Sequence, residues 1–535
     1  MTSSLFSYWP ILLSVALAYV LHTIWVNISH RLRARRLGCK PAFVRPSRLP
    51  LGIDNLARSF IATRNQVLQN DDVAVYEELG RRPTWVQNVL GSWYHTTTDP
   101  ENVKAILATQ FKDFELGPLR FNLMEPLLGH GIFTSDGKDW QQFRSLLRPQ
   151  FTRSLISNLK LEETHVQHLL RRLEPQPDKW TVEVDLMPLF FNLTLDSATE
   201  FLFGHSVESQ VARGSPAQDA NADRDGAKPA PREREDWSSF GVSFDRANTV
   251  ISYQSRLMDL YFLYRPGSFT KDCKEVQRFA DYYVNKALSI DPTAPDNSGE
   301  KESTEYVFLN ELAKTTRDPY VLRSQLLNIL LAGRDTTAGL LSWTMYWLAR
   351  HPNIYAKLHG VVVSTFGTFS SDTSLITFES LKSCTYLQRV LSEVLRLHPV
   401  VPENSRRAVR NTTLPRGGGR DGQSPLYIRA GEEVLYNTHV MHHRKDLWGE
   451  DAEEFRPERW DGRRPGWEYL PFNGGPRICL GQQFALTEAA YVVVRILQKY
   501  NQLENLDPEE VTKHQYTLTT APTRVLVRLH EAPSS

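Results

Sequence analysis

Residues 471–493 read PFNGGPRICLGQQFALTEAAYVV. Glycines crowd a short loop around one cysteine, Cys479, and an apolar, helix-forming run follows. Glycine lets backbone approach a bound group closely and accept positive φ. Gly475, two residues before Arg477, and Gly481, two residues after Cys479, are placed for that. The loop puts Cys479 just ahead of a helix N-terminus, where the macrodipole favours a thiolate. Phe472 stands ready to shield the sulfur, and Arg477 to pair with an acidic group. One cysteine supplies one metal bond, so a metal at this point must arrive with its other ligands. The bland alternative is a strand–turn–helix corner with a buried cysteine.

Haem brings four nitrogens and needs one axial protein ligand. Phe472–Gly481 resembles the haem-binding signature F-x-x-G-x-R-x-C-x-G of cytochrome P-450 monooxygenases, matching every specified position. Further likenesses follow in the family's order. WQQFR, Trp140 to Arg144, resembles the helix whose Trp and Arg contact a haem propionate. AGRDTT, Ala332 to Thr337, resembles the oxygen-activation motif. EVLR, Glu393 to Arg396, resembles E-x-x-R, and FRPERW, Phe455 to Trp460, resembles the segment completing that ion network. The resemblance covers nearly the whole chain after its first segment. It implies a mainly α fold with minor β, a long central helix over haem b, and a monooxygenase using O2 with electrons from NADPH through a reductase. Cys479 is then the axial ligand, and Asp335 and Thr336 manage protons. Trp140, Arg144, Arg406 and Arg477 become candidates for the propionates.

The remaining residues fit this frame on their own physical grounds. Glu393 and Arg396, three apart, share a helix face opposite the apolar stripe Leu387, Val390, Leu391, Val394. A buried pair needs a further partner, and Arg459 is the candidate. A helix is expected from the cap Asp318 and Pro319 to Arg350, ended by His351-Pro352. Gly333, Thr336, Thr337 and Gly339 are poor helix formers gathered in its middle, so local weakening is expected there, with Ala332 and Gly333 against the pocket. Tight packing against a neighbouring element is the alternative.

The chain has 535 residues, formal net charge +1 and no internal repeat, and nothing in that balance points to nucleic acid. Its four cysteines, Cys39, Cys273, Cys384 and Cys479, are too dispersed for a disulfide framework or zinc site. Tyr8–Val26 contains no charged residue and is long enough to cross a bilayer. The basic run after it, His30 to Lys40, places the following domain on the cytosolic side. We expect a membrane anchor over residues 1–30, a basic, Pro-containing linker over 31–55 and a catalytic domain over 56–535. The polar stretch 206–235 reads as a disordered insertion. A terminal hairpin is expected from Leu518. Arg477 and Lys499 are candidates for docking a reductase.

Within the superfamily the likeness is strongest to membrane-bound fungal hydroxylases of n-alkanes and fatty acids, which implies terminal hydroxylation of a lipophilic chain. Three departures weaken that likeness: Glu403, Asn404 and Ser405 where the subfamily is more apolar beside the haem, the long insertion, and Pro522 in the terminal segment. A polar or oxygenated substrate suits the first of these better than a bare alkane. The second reading is a tailoring oxygenase acting on a polyketide- or terpenoid-type intermediate in a fungal secondary-metabolite pathway. An isomerase fits worse because the Asp335–Thr336 pair is intact, an electron carrier because weakness at Gly333 implies room for oxygen, and a haem-free scaffold because it leaves the cysteine loop and the arginines unexplained.

Overall fold

A computed structural model of the chain describes residues 9–151, 159–211, 237, 239–289 and 307–533. The helices that position the site are α1 (Trp9–Arg36), α2 (Leu68–Glu78), α3 (Gly117–Leu128), α4 (Gly137–Leu147), α5 (Lys160–Arg172), α6 (Leu186–Phe203), α7 (Phe240–Arg256), α8 (Pro319–Arg350), α9 (Thr385–Leu397), α10 (Thr438–His443) and α11 (Gln482–Lys499). The strands are short: β1 (Thr84–Val89), β2 (Ser92–Thr97), β3 (Phe114–Glu115), β4 (Val184–Asp185), β5 (Glu403–Ala408), β6 (Thr412–Gly418), β7 (Ser424–Ile428), β8 (Glu433–Asn437), β9 (Tyr500–Asn505), β10 (His514–Tyr516), β11 (Thr520–Pro522) and β12 (Leu526–Glu531). The largest sheet runs β1-β2-β8-β5-β3, with β2 parallel to β8 and the other pairs antiparallel.

α8 is the axle of the fold. Asp318 caps it by accepting from the Tyr320 and Val321 amides, Pro319 fills the first turn, and His351 ends it. Its first half buries Leu322, Leu326 and Leu330 in one apolar cluster. Its second half buries Leu341, Trp343 and Met345 in another. Burial continues along most of the helix and takes in polar side chains too, among them Asn328, Arg334 and Asp335.

Three expected boundaries move. α1 does not stop at residue 30 but continues through Arg36, because Arg and Leu are good helix formers and cations suit a helix C-terminus. Its end is held to the domain: Arg429 donates to Asn27 Oδ1 at 3.0 Å, and His30 Nδ1 lies 3.1 Å from the Tyr427 hydroxyl. Between the helix and Ile53 the chain bridges to the sheets through Ala42 and Val44, so 31–55 is not a free linker. Near the end, the hairpin is β10–β11 and starts at His514, while β12 pairs with β9 and β4. Of the expected insertion, Ser209 and Gln210 are bound through their amides to Asp196 on α6. Residues 212–236 and the connection from Asp291 lie outside the described residues.

Candidate active site

The cysteine loop is built from residues that leave room. Gly475 has φ +66°, and a Cβ there would stand 1.9 Å from the Leu107 carbonyl oxygen, so no other residue fits. A Cβ on Gly474 would strike the Trp467 ring at 2.7 Å. Asn473 takes the left-handed conformation and accepts from the Tyr436 hydroxyl at 3.3 Å. The Cys479 amide closes the loop on the Phe472 carbonyl at 3.0 Å, and the half-buried Phe472 side chain packs against the apolar cluster that holds Trp343. Gly481 corrects the positive-φ expectation: at φ −86° it is the N-cap of α11, and its amide faces the sulfur. Cys39, Cys273 and Cys384 are buried, whereas Cys479 is accessible although it lies deep in the protein. Burial pushes its thiol up, opposed by the Gly481 amide and Arg144. A coordinated metal cation would favour the thiolate against that burial.

Four guanidinium groups converge beside it. Arg477 stacks over Trp140, with its guanidinium carbon 4.3 Å from the ring centroid, and donates to Asp136 at 2.6 Å and to the Ser135 carbonyl. Arg144 donates to the Ile478 carbonyl at 3.1 Å. Arg406, buried while Arg407 is half-buried, donates to Asn404 Oδ1 at 3.0 Å. Arg120 donates to the same oxygen at 2.5 Å. Burial lowers Arg477 to about 9, with Arg406, Arg120 and Arg144 acting in the same direction. The ion-paired carboxylate among them, Asp136, already accepts the Leu116 and Gly117 amides. Such a donor set calls for anionic oxygens, and two haem propionates supply them. The residues present therefore fit haem.

Two expectations change here. Asn404 is not a free pocket group, because both arginines hold its oxygen. Arg477, with its side chain 9% exposed, is not part of a docking surface. Arg120 went unread in the sequence; it stands 284 positions from Asn404 and carries no local motif.

Across the site, α8 runs unbroken, so the expected weakening is absent. The Thr336 hydroxyl donates to the Ala332 carbonyl at 2.5 Å. A Cβ on Gly333 would meet Ala198 of α6 only at 4.0 Å, an ordinary contact, so close packing does not require glycine there. Gly339 is the packing glycine: a Cβ there would come within 2.7 Å of the Thr520 carbonyl and 3.0 Å of Val400. Asp335 is buried, and burial raises it to about 6 despite Arg334, whose guanidinium is 3.1 Å away. Arg334 also pairs with Asp245 of α7. Both carboxylates edge a cavity of about 240 Å³ lined further by Asn192, Asn248, Thr249, Gln515 and Thr517. Glu403 accepts the Tyr516 hydroxyl at 2.7 Å, and Ser405 donates to Glu433 at 2.6 Å. Asp72 on α2 is raised to about 8 by burial and then by Glu403.

Beneath the loop, Glu393 and Arg396 form a fully buried two-bond pair at 2.8 and 2.9 Å. Arg459 joins Glu393 at 3.1 Å and Asp451 at 2.8 Å. The Trp460 indole donates to Glu393 at 3.0 Å, and Arg396 also reaches the His442 and Ala452 carbonyls. Trp460 and Asp451 were not foreseen as members.

A cysteine loop beneath a central helix, flanked by an anion cradle, defines a haem-thiolate protein. The chain belongs to the cytochrome P450 family, whose profile matches residues 64–528. It is 46% identical over 516 residues to cytochrome P450 monooxygenase g430 of a Fusarium species, covering 95% of this chain and 88% of that one. It is 49% identical over 430 residues to cytochrome P450 52A4 of Candida maltosa, covering 79% and 76%. It is also 49% identical over 438 residues to cytochrome P450 52A1 of Candida tropicalis, covering 81% and 77%.

Proposed function

We propose that the protein is a membrane-anchored monooxygenase that hydroxylates a long lipophilic chain, a fatty acid or alkane, at its terminal carbon. The observation that carries the membrane-lipid part is an exposed apolar rim. Leu51, Trp93, Phe262, Leu263 and Tyr264 are all exposed. Their segments are joined: the Leu90 amide bonds Leu51, and Asp259 accepts from Ser92 and Tyr94. With α1, of mean hydropathy 1.6 over its apolar window, this rim suits a domain resting on a bilayer and taking substrate from it. The terminal position rests on likeness to the alkane and fatty-acid hydroxylases.

When bound, haem supplies dioxygen activation, with electron density from the thiolate. Cys479 would ligate its iron, and Trp140, Arg120, Arg144, Arg406 and Arg477 would hold its propionates. Asp335, raised to about 6, gains and loses a proton just below neutral pH at the edge of the polar cavity, and Thr336 stands next to it on the helix. Glu393, Arg396 and Arg459 hold the loop's support. NADPH acts through a reductase, and the domain faces the cytosol from the endoplasmic reticulum membrane, by the basic end of α1.

A second reading, a tailoring oxygenase for an oxygenated intermediate, is favoured by the half-buried polar group of Glu403, Tyr516 and Asp72. The experiment is turnover in microsomes containing a reductase, with NADPH and a matched fatty acid and alkane. Terminal alcohol from either supports the first reading. No product, with haem and electron supply intact, moves the assignment to the second.

A further inference from the structure

One imidazole joins the buried ion network to the cysteine loop. His442 of α10 is fully buried. Its Nδ1 lies 3.0 Å from the Arg396 carbonyl, and the Leu470 amide nitrogen lies 3.0 Å from its Nε2. An amide can only donate, so Nε2 accepts and Nδ1 carries the hydrogen. Both ring nitrogens are therefore committed in one tautomer. Arg396 adds a second link by donating to the His442 carbonyl at 3.0 Å. The Tyr469 ring stacks beside the imidazole, with centroids 5.3 Å apart, and the Tyr469 hydroxyl bonds the Ser392 carbonyl of α9. Burial and Arg396 disfavour protonation of His442, in keeping with Nε2 as an acceptor.

Leu470 is the last residue before Pro471, whose nitrogen carries no hydrogen. Its carbonyl accepts the Asn473 amide at 3.1 Å, and the next residue but one, Phe472, accepts the Cys479 amide. A continuous hydrogen-bonded path thus runs from Glu393 and Arg396 through His442 to the loop that sets the sulfur. We propose that His442 is a positioning residue of the thiolate site: its Nε2, by accepting the Leu470 amide, fixes the entry of the cysteine loop and hence the place of the Cys479 sulfur.

The test compares H442Q, H442N and H442A in the purified full chain. A glutamine oxygen can stand where Nε2 stands and accept from Leu470. An asparagine nitrogen can stand where Nδ1 stands and donate to Arg396, but it does not reach Leu470. Two readouts are taken: hydrogen exchange at the Leu470 amide, and the thiolate absorption band of the reduced, CO-bound protein. H442Q is expected to keep both. H442N and H442A are expected to exchange at Leu470 about tenfold faster or more, and to lose part of the thiolate band per haem. Equal losses in all three variants would reduce His442 to core packing and overturn the proposal. Retention by H442N with loss in H442Q, or no loss anywhere, would also overturn it. Where a variant takes up no haem, exchange at Leu470 decides. The inference rests on Cys479 as the axial ligand. Cys479→Ser tests that premise separately, since it should lose the band and keep Leu470 protected.

Discussion

At the scale of single residues, Asp335 shows how burial prepares a proton donor. Burial raises its pKa to about 6, and the neighbouring Arg334 only partly offsets this. Its folded pKa lies above its ordinary value of 3.8, so the folded chain holds an extra proton between those values. Its contribution to stability is complete below about pH 4 and is lost as pH rises through about 6. Asp335→Asn should lower product formation about a hundredfold, with a larger solvent isotope effect and haem content unchanged. An unaltered rate in deuterated and ordinary water would remove Asp335 from the proton path. Cys479 was legible in the sequence because its requirements are local: the spacing of Phe472, Gly475, Arg477 and Gly481 is set within one loop. Arg120 was not, because Asn404 and Arg406 reach it only through the tertiary fold.

At the scale of elements, the network around Glu393 binds α9 to the segment before the cysteine loop. Glu393 accepts from Arg396, Arg459, Trp460 and the Arg456 amide. Removing one charge from a buried set leaves the others uncompensated. Glu393→Gln should therefore destabilise the protein by about 3–5 kcal/mol, seen as a lower urea midpoint and faster haem loss. A midpoint within error of the wild type would show that the network is not holding the loop. The central helix was legible because Asp318, Pro319 and His351-Pro352 mark its ends in the sequence. The terminal strands were misjudged because β12 chooses β9 and β4 over its sequence neighbour, a choice made by distant partners. The small residues of α8 were read as weakness. Gly339 answers instead to the close approach of Thr520, a neighbour that periodicity does not reveal.

At the scale of the whole molecule, we propose that the apolar helix and the apolar rim meet the same bilayer. Asn27 and His30 of α1 are hydrogen-bonded to the β6–β7 hairpin and its following turn. Combined Trp93→Ser, Phe262→Ser and Leu263→Ser should slow turnover of substrate supplied in vesicles several-fold. Turnover of the same substrate in detergent should stay unchanged. Equal effects in both media would mean that the rim serves folding or the pocket, not the bilayer. The apolar helix was legible from length and charge. Its junction with the domain was not, because it depends on Tyr427 and Arg429 far along the chain.

The central claim is that Cys479 alone joins this fold to its haem iron. The most direct measurement is the absorption band of the reduced, CO-bound full-length protein beside Cys479→Ser. The expected result is a thiolate band in the wild type and none in the variant. A thiolate band that survives in Cys479→Ser would contradict the assignment.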